Sequence, residues 1–294
     1  MTYQEPLSQK AVAISISESA DMMAFGLAAE HLRDAMAEVA RHLLAMGARL
    51  IYGGDLRAHG FTELLFELVA RHRRDADVGD ARPAIVSYLA WPVHSGKPAQ
   101  EIQTLAQDLN GLAELHCLGQ QGQELALDTL SPAGTTQVPT SDEWAVGLTA
   151  LRRVLTDASD ARIVLGGYLS GFKGRMPGIA EEVLCSLGAG QPVYLLGGFG
   201  GCARAIAEEL HLVPHRPTLV VPWAGREQFS GLDSTALRNG LSSDENETLA
   251  RTVHVDEAVA LMLRGLLRVF GGTATGLLST PPVLIRDVRR DYFR

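Results

Sequence analysis

Residues 161–204 read ARIVLGGYLSGFKGRMPGIAEEVLCSLGAGQPVYLLGGFGGCAR, and this stretch decides the fold of the chain. It contains two short apolar runs, 163–165 and 193–196, and a Gly-Gly pair closes each of them. Between the two runs lie a glycine-rich loop, Pro177 and a pattern of helical length. This order of strand, loop, helix and strand predicts a parallel βαβ unit, in which ligands bind beyond the carboxyl ends of the strands.

The rest of the chain continues the alternation of short apolar runs with longer amphipathic segments. Strands are predicted at 11–16, 50–52, 84–90, 114–118 and 219–222, and helices at 27–46, 61–71, 142–156 and 256–270. We therefore expect an α/β fold of Rossmann-like type, with an open, mostly parallel sheet and helices on both faces. The expected organisation is a single domain over 1–294, with a core at about 11–221, a C-terminal helix at about 254–271 and a polar tail. The polar segment 223–249 is a candidate lid or disordered insert.

Composition and charge exclude several classes of function. The net charge of −8 argues against broad binding to nucleic acid or to an anionic membrane surface. No apolar run has the length of a membrane span, and the N-terminus lacks the apolar core of a signal peptide. The three cysteines are widely separated and form no zinc-binding pattern, which predicts buried thiols in a reducing, cytoplasmic compartment. We expect neither a metal nor a bound cofactor.

The loop 171–178, GFKGRMPG, is the first candidate ligand site. Proline is favoured at the start of a helix, and a helix N-terminus presents free amides to an anion. Glycine would allow close approach to the backbone, and arginine can bind a phosphate through two parallel hydrogen bonds. We therefore expect ligand contacts from Lys173, Gly174, Arg175, Pro177 and Gly178. The alternative is a surface turn whose basic residues only favour solubility.

Two acidic residues follow in the first turns of the predicted helix. We expect one of Glu181 and Glu182 to point towards the sheet edge and the other towards solvent. The inward carboxylate would accept hydrogen bonds from ribose hydroxyls or, in an enzyme, act in the chemistry of a glycosidic bond. The alternative is that both acids only complement the positive end of the helix.

The other candidate contacts lie at predicted strand ends. Glycine pairs there would let a ligand approach the backbone, although each pair could equally be a tight strand-to-helix turn, and the hydroxyls and the carboxylate could be helix caps. These candidates are Ser15, Ser17, Gly53, Gly54, Asp55, Gly166, Gly167, Gly197 and Gly198.

Three segments of the sequence resemble one superfamily. The segments ISISES at 14–19, LIYGGDLR at 50–57 and 164–201 are similar to the SLOG superfamily, notably the prokaryotic forms of the domain found in melastatin-type TRP channels. The superfamily includes the lysine-decarboxylase-like phosphoribohydrolases, and it is similar in general character to the nucleoside deoxyribosyltransferases. The phosphoribohydrolase motif is P-G-G-x-G-T-x-x-E, whereas residues 177–182 read PGIAEE and lack its second glycine and its Gly-Thr.

The resemblance implies a Rossmann-like fold that binds a nucleotide-derived ligand such as ADP-ribose, cyclic ADP-ribose or an NAD-like molecule, as a sensor. The alternative is an N-glycosidase, a nucleoside phosphoribohydrolase or a deoxyribosyltransferase-like enzyme that acts on a nucleotide, in which Glu181 or Glu182 would be catalytic and stabilise an oxocarbenium-like centre. We expect the partner to be this small ligand, with no nucleic acid and no membrane. We also expect a homo-oligomer, and a separate effector protein is a further candidate partner.

Overall fold

A seven-stranded sheet forms the centre of the protein. The computed structural model describes residues 5–54, 56, 60–75, 83–131, 138–215 and 222–271. The strands are β1 (Ala11–Ser17), β2 (Arg49–Gly53), β3 (Ile85–Leu89), β4 (Ala113–Leu118), β5 (Glu124–Leu125), β6 (Ala161–Gly166) and β7 (Val193–Leu196). Their order is β5-β4-β3-β2-β1-β6-β7, and only β5 runs antiparallel to its neighbour. The predicted α/β fold with an open, mostly parallel sheet is confirmed.

Helices follow the strands in the alternating order that the sequence predicts. They are α1 (Ala29–Ala45), α2 (Phe61–Asp75), α3 (Trp91–His94), α4 (Ala99–Asp108), α5 (Ser141–Asp157), α6 (Gly178–Gly188), α7 (Gly201–Glu209), α8 (Ser243–Arg251) and α9 (Val255–Phe270). None of the helices in the described ranges is long and apolar enough to cross a membrane.

Alternate residues of β1 show how the helices cover both faces of the sheet. Val12, Ile14 and Ile16 pack in one apolar cluster with α1, α2 and α9. Ala13 packs on the opposite face in a cluster with α5. Because side chains alternate between the two faces of a strand, Ser15 lies on the same face as Ala13, the face that α5 covers. This face carries the candidate site.

The segment 223–249 does not form the lid or disordered insert that its polarity predicted. Residues 243–249 belong to α8, whose N-terminus is closed by the reciprocal hydrogen bonds of Ser242 and Glu245. Before this helix, Asn239 is buried and donates a hydrogen bond of 2.9 Å to the backbone oxygen of Val193 in β7. This hydrogen bond from a buried side-chain amide fixes the polar segment to the sheet. The polar composition of the segment did not predict such a contact. The strand predicted at 219–222 lies largely outside the described residues.

One exposed ion cluster joins α8 to α9 and makes the fold sensitive to acid. Arg268 and Arg264 approach the Glu245 carboxylate at 2.6 and 2.9 Å. The hydrogen bond from Arg268, followed by those from the Ser242 amide and Arg264, lowers the pKa of Glu245 to about 2. Because this folded-state pKa is depressed, the stabilisation is complete above the unfolded pKa and is lost as the pH falls towards 2.

We therefore expect Glu245→Gln to lower the thermal midpoint at pH 7 and to reduce the loss of stability between pH 5 and pH 2. Thermal unfolding across this pH range checks the expectation. Glu247→Gln, at an exposed position of the same helix, serves as the control. Parallel stability curves for wild type and Glu245→Gln would contradict the assignment.

Candidate functional site

A cavity of about 210 Å³ lies at the carboxyl ends of β1 and β2, between α5 and the start of α6. It is lined by residues 14–17, Tyr52, Gly53, Arg152, Tyr168, Phe172, Gly178, Ile179 and Glu182. Five of the residues that the sequence predicted as ligand contacts are therefore brought together here: Ser15, Ser17, Gly53, Gly178 and Glu182.

The N-terminus of α6 opens into this cavity. Its N-cap residue is Pro177, and no side chain of the described ranges caps the helix. The first helical bond runs from the Glu181 amide to the Pro177 oxygen, so the preceding amides of Gly178 and Ile179 have no acceptor within the helix. These two residues line the cavity, which makes its wall a ready acceptor of negative charge.

Arg152 brings a guanidinium from α5 to the same wall. Its side chain is only 7% exposed and donates a short hydrogen bond through Nη1 to Glu181. Its Nε is buried and has no hydrogen-bond partner, and it lies 4.0 Å from Oε1 of Glu182. A buried donor without a partner among the described residues is costly. Arg152 as a whole is one of the residues that line the cavity.

The glycines of the loop 171–178 accommodate Arg152. A Cβ atom at Gly174 would lie 2.9 Å from Nη1 of Arg152, and one at Gly178 would lie 2.7 Å from Nη2. Larger residues at either position would therefore displace the guanidinium. The sequence pattern predicted that these glycines admit a ligand. In the structure both make room for a side chain of the chain itself, and Gly178 also lines the cavity.

The two glutamates have different environments, and the expectation that one of them faces solvent is wrong. Glu181 accepts a hydrogen bond of 2.5 Å from Thr149 in addition to that from Arg152, and its side chain is 12% exposed. Glu182 is 18% exposed and lines the cavity, and one of its oxygens accepts a hydrogen bond from Arg162 at 3.3 Å. The buried arginines draw both carboxylates inward, and sequence spacing alone could not show this. Only Glu182 is available to a ligand.

Neither of the two basic residues of the loop lines the cavity. Lys173 and Arg175 are exposed and are not among its lining residues. The Lys173 ammonium instead lies 3.8 Å from the centre of the Trp144 ring, in cation–π geometry. The cation at the cavity is Arg152, which the sequence analysis missed. Tyr168 and Phe172, also missed, line the cavity from the connection between β6 and α6.

The glycine pairs at the ends of β6 and β2 serve close packing. Gly166 and Gly167 have φ angles of 59° and 104°, which favour glycine, and a Cβ at Gly166 would lie 2.4 Å from the Ser17 oxygen. A Cβ at Gly54 would lie 2.7 Å from the Ser87 hydroxyl. Of these glycines only Gly53 lines the cavity. Asp55 lies outside the described residues.

The glycines at 197–201 contact other parts of the chain closely. The amide of Gly201, at the start of α7, donates a hydrogen bond of 2.8 Å to the carboxylate of Asp21. A carboxylate from the loop after β1 thus takes the place that a phosphate would have at this helix end. A Cβ at Gly198 would lie 1.9 Å from the Thr252 oxygen, and one at Gly197 would lie 2.7 Å from the Ala250 oxygen. Neither Gly197 nor Gly198 is among the residues that line the cavity.

The cysteines offer no nucleophile at the site. Burial raises the pKa of Cys117 to about 11 and that of Cys202 to about 12, so both are protonated at neutral pH. Cys185 is partly buried, and burial together with Glu181 raises its pKa. The three thiols are free, and the described residues contain no group of side chains that could hold a metal ion.

The parallel sheet and the cavity at its carboxyl edge define a Rossmann-like α/β protein with a candidate ligand site at the start of α6. The model of the SLOG cluster2 family matches residues 6–257, which is most of the chain. The chain therefore belongs to this family, and membership indicates a nucleotide-related function in general. The comparison with the curated proteins found no significant match.

Proposed function

We propose that the protein binds a nucleotide-derived ligand in the cavity at the carboxyl edge of the sheet and acts as a sensor of that ligand. The observation that carries the proposal is the N-terminus of α6, which no side chain of the described residues caps and whose Gly178 and Ile179 line the cavity beside the buried Arg152. The amides of a helix N-terminus and an arginine both favour an anionic group, such as a phosphate.

The remaining walls suit the other parts of such a ligand. Oε1 of Glu182 accepts no hydrogen bond from the described residues and is free to accept one from a ribose hydroxyl. Tyr168 and Phe172 supply apolar ring surface, against which a base or a sugar can pack. The cavity of about 210 Å³ is smaller than the roughly 300–1,000 Å³ typical of sites for drug-sized ligands. We therefore assign to it the ribosyl phosphate part of ADP-ribose, cyclic ADP-ribose or an NAD-like ligand, with the remainder outside.

Calorimetry and thermal shift with ADP-ribose, cyclic ADP-ribose, NAD and AMP test this proposal. A ligand that binds only the folded protein raises the unfolding midpoint, by an amount that grows with ligand concentration. We expect this rise for at least one of the four ligands. The absence of both heat and a midpoint shift for all four would overturn the proposal.

The position of Glu182 supports a second candidate function, an N-glycosidase or a nucleoside transferase. A carboxylate at the cavity could stabilise an oxocarbenium-like centre as well as it could bind a ribose hydroxyl. In this case wild type releases a free base from a nucleotide or from NAD, and chromatography detects it. We expect no release. If release is found, the loss of turnover in Glu182→Gln, with Glu247→Gln as control, would establish Glu182 as the catalytic residue in place of a sensor role.

The sensor proposal includes assembly and output. We propose that the chain forms a homo-oligomer in the cytoplasm and passes its ligand state to a separate effector protein. Light scattering at several concentrations, with and without the ligand found above, measures the assembly. A monomer under all these conditions would remove the oligomer from the proposal.

A further inference from the structure

Arg162 is a buried charged residue on a strand of the sheet. It belongs to β6, between β1 and the edge strand β7, and its side chain is fully buried. Taking a guanidinium out of water is expensive, and a well-packed apolar residue in place of a buried ion pair is often neutral or stabilising. Stability alone is therefore a weak reason for an arginine at this position.

The partners of Arg162 connect the protein interior with the candidate site. Its guanidinium donates to the Ser186 hydroxyl at 2.7 Å and to the Thr156 hydroxyl at 3.2 Å. Through Nη1 it donates to the Ser15 hydroxyl at 2.8 Å and to Oε2 of Glu182 at 3.3 Å. Ser15 and Glu182 line the cavity, whereas Ser186, Thr156 and Arg162 do not.

These bonds fix what the two cavity residues can offer. An arginine only donates, so the Ser15 oxygen acts as an acceptor towards Arg162 and its own hydrogen is left to donate elsewhere. Because Oε2 of Glu182 is engaged by Arg162, Oε1 is the acceptor left for a ligand. The wall thus presents a donor beside an acceptor, both fixed by one rigid guanidinium fork.

We infer that Arg162 is a positioning residue for the candidate site, which orients Ser15 as a donor and Glu182 as an acceptor so that the cavity prefers a sugar phosphate to a bare phosphate. This inference rests on the proposed function for its ligand. A pentose phosphate presents ring and hydroxyl oxygens beside its anion, and it can satisfy both groups. A bare phosphate lacks the sugar oxygens, so a phosphate held at the start of α6 has no ring or hydroxyl oxygen to place between Ser15 and Glu182.

A thiol placed at position 15 tests the positioning without any ligand. In Ser15→Cys the thiolate absorbance reports the pKa of a group beside Arg162, and a cation within about 4–6 Å lowers a thiol pKa by roughly 1–3. The titration is made in a Cys185→Ser background, because Arg162 also acts on the Cys185 thiol. Burial raises the pKa of Cys117 to about 11 and that of Cys202 to about 12, above the range from pH 7 to pH 10. We expect the new thiol to titrate at least one pH unit lower in Ser15→Cys than in Ser15→Cys/Arg162→Met.

The matched control is Arg204→Met. Arg204 pairs with Glu208 on α7 at 3.0 Å, has a side chain that is 11% exposed, and is not a lining residue. In the Ser15→Cys background this control should leave the thiol pKa unchanged. Equal thiol pKa values with and without Arg162 would overturn the positioning role, whatever the ligand.

Ligand selectivity is the second readout, with ribose 5-phosphate and inorganic phosphate as the probes. We expect wild type and Arg204→Met to bind ribose 5-phosphate at least tenfold more tightly than phosphate. Arg162→Met and Arg162→Lys should lose this preference, since neither side chain can hold Ser15 and Glu182 together; the lysine variant retains the charge in case the methionine variant does not fold. A preference that survives in both variants would overturn the inference and leave the proposed function standing.

If wild type binds neither probe and none of the four nucleotides, the proposed function fails, and the thiol titration alone decides whether Arg162 orients position 15.

Discussion

Replacing Arg152 with methionine is expected to destabilise the protein by about 3–5 kcal/mol, because the change leaves the Glu181 carboxylate buried without its cation. The side chains of this pair are only 7% and 12% exposed, so water cannot replace the lost partner. The hydrogen bond from Thr149 remains, but a hydroxyl does not neutralise a charge. Denaturant unfolding at pH 7 measures the loss of free energy of unfolding.

The same substitution should abolish ligand binding, since Arg152 is the cation among the residues that line the cavity. The double variant Arg152→Met/Glu181→Leu separates the two effects. With both charges gone, most of the lost stability should return, as is found when apolar residues replace a buried ion pair. Ligand binding should not return. Recovery of binding in the double variant would show that Arg152 serves the fold and not the site.

The sequence predicted the sheet well because the strands are buried on both faces. Such strands are continuous apolar runs, and β1, β6 and β7 were recognised within one or two residues at each end. The pattern failed where burial depends on polar pairing. Asn239 and Asn246 are buried and bond to each other at 2.7 Å, which makes an ordered part of the fold out of a segment whose composition reads as a loop.

The site was predicted in part, and its errors have one cause. The predicted contacts that line the cavity include Ser15, Gly178 and Glu182, which were predicted because they lie at a strand end or at the start of a helix. The cation was expected in the exposed loop, although Arg152 comes from α5, nineteen or more residues before that loop. Contacts between elements that are distant along the chain cannot be read from spacing. The sequence did offer one sign of buried charge pairing, which is Arg162 within the apolar run ARIVLG at 161–166. A charge in a buried strand needs partners, so this residue indicated that other polar side chains lie close to it.

The second large effect is a loss of stability that we expect from a substitution in the glycine pair after β7. A Cβ atom at Gly198 would lie 1.9 Å from the oxygen and 2.6 Å from the carbonyl carbon of Thr252, in the connection between α8 and α9. These are backbone atoms, so no side-chain rotation relieves the overlap and the connection must move. We expect Gly198→Ala to destabilise the protein by about 3 kcal/mol or more, at or above the upper end of the cost of overpacking.

A control variant and a binding measurement distinguish a packing role of the glycine pair from a ligand-binding role. At Gly188, the last residue of α6, an added Cβ meets no atom within 4 Å, so Gly188→Ala should be neutral or stabilising by about 0.4–1 kcal/mol. If Gly198 serves the packing of α8 and α9, Gly198→Ala should bind the ligand with wild-type affinity at temperatures where it remains folded. A ligand site at the pair predicts the reverse, an intact midpoint with weakened binding. The carboxylate of Asp21 at the neighbouring Gly201 amide favours the first outcome, because it already occupies the helix end that an anionic ligand would need.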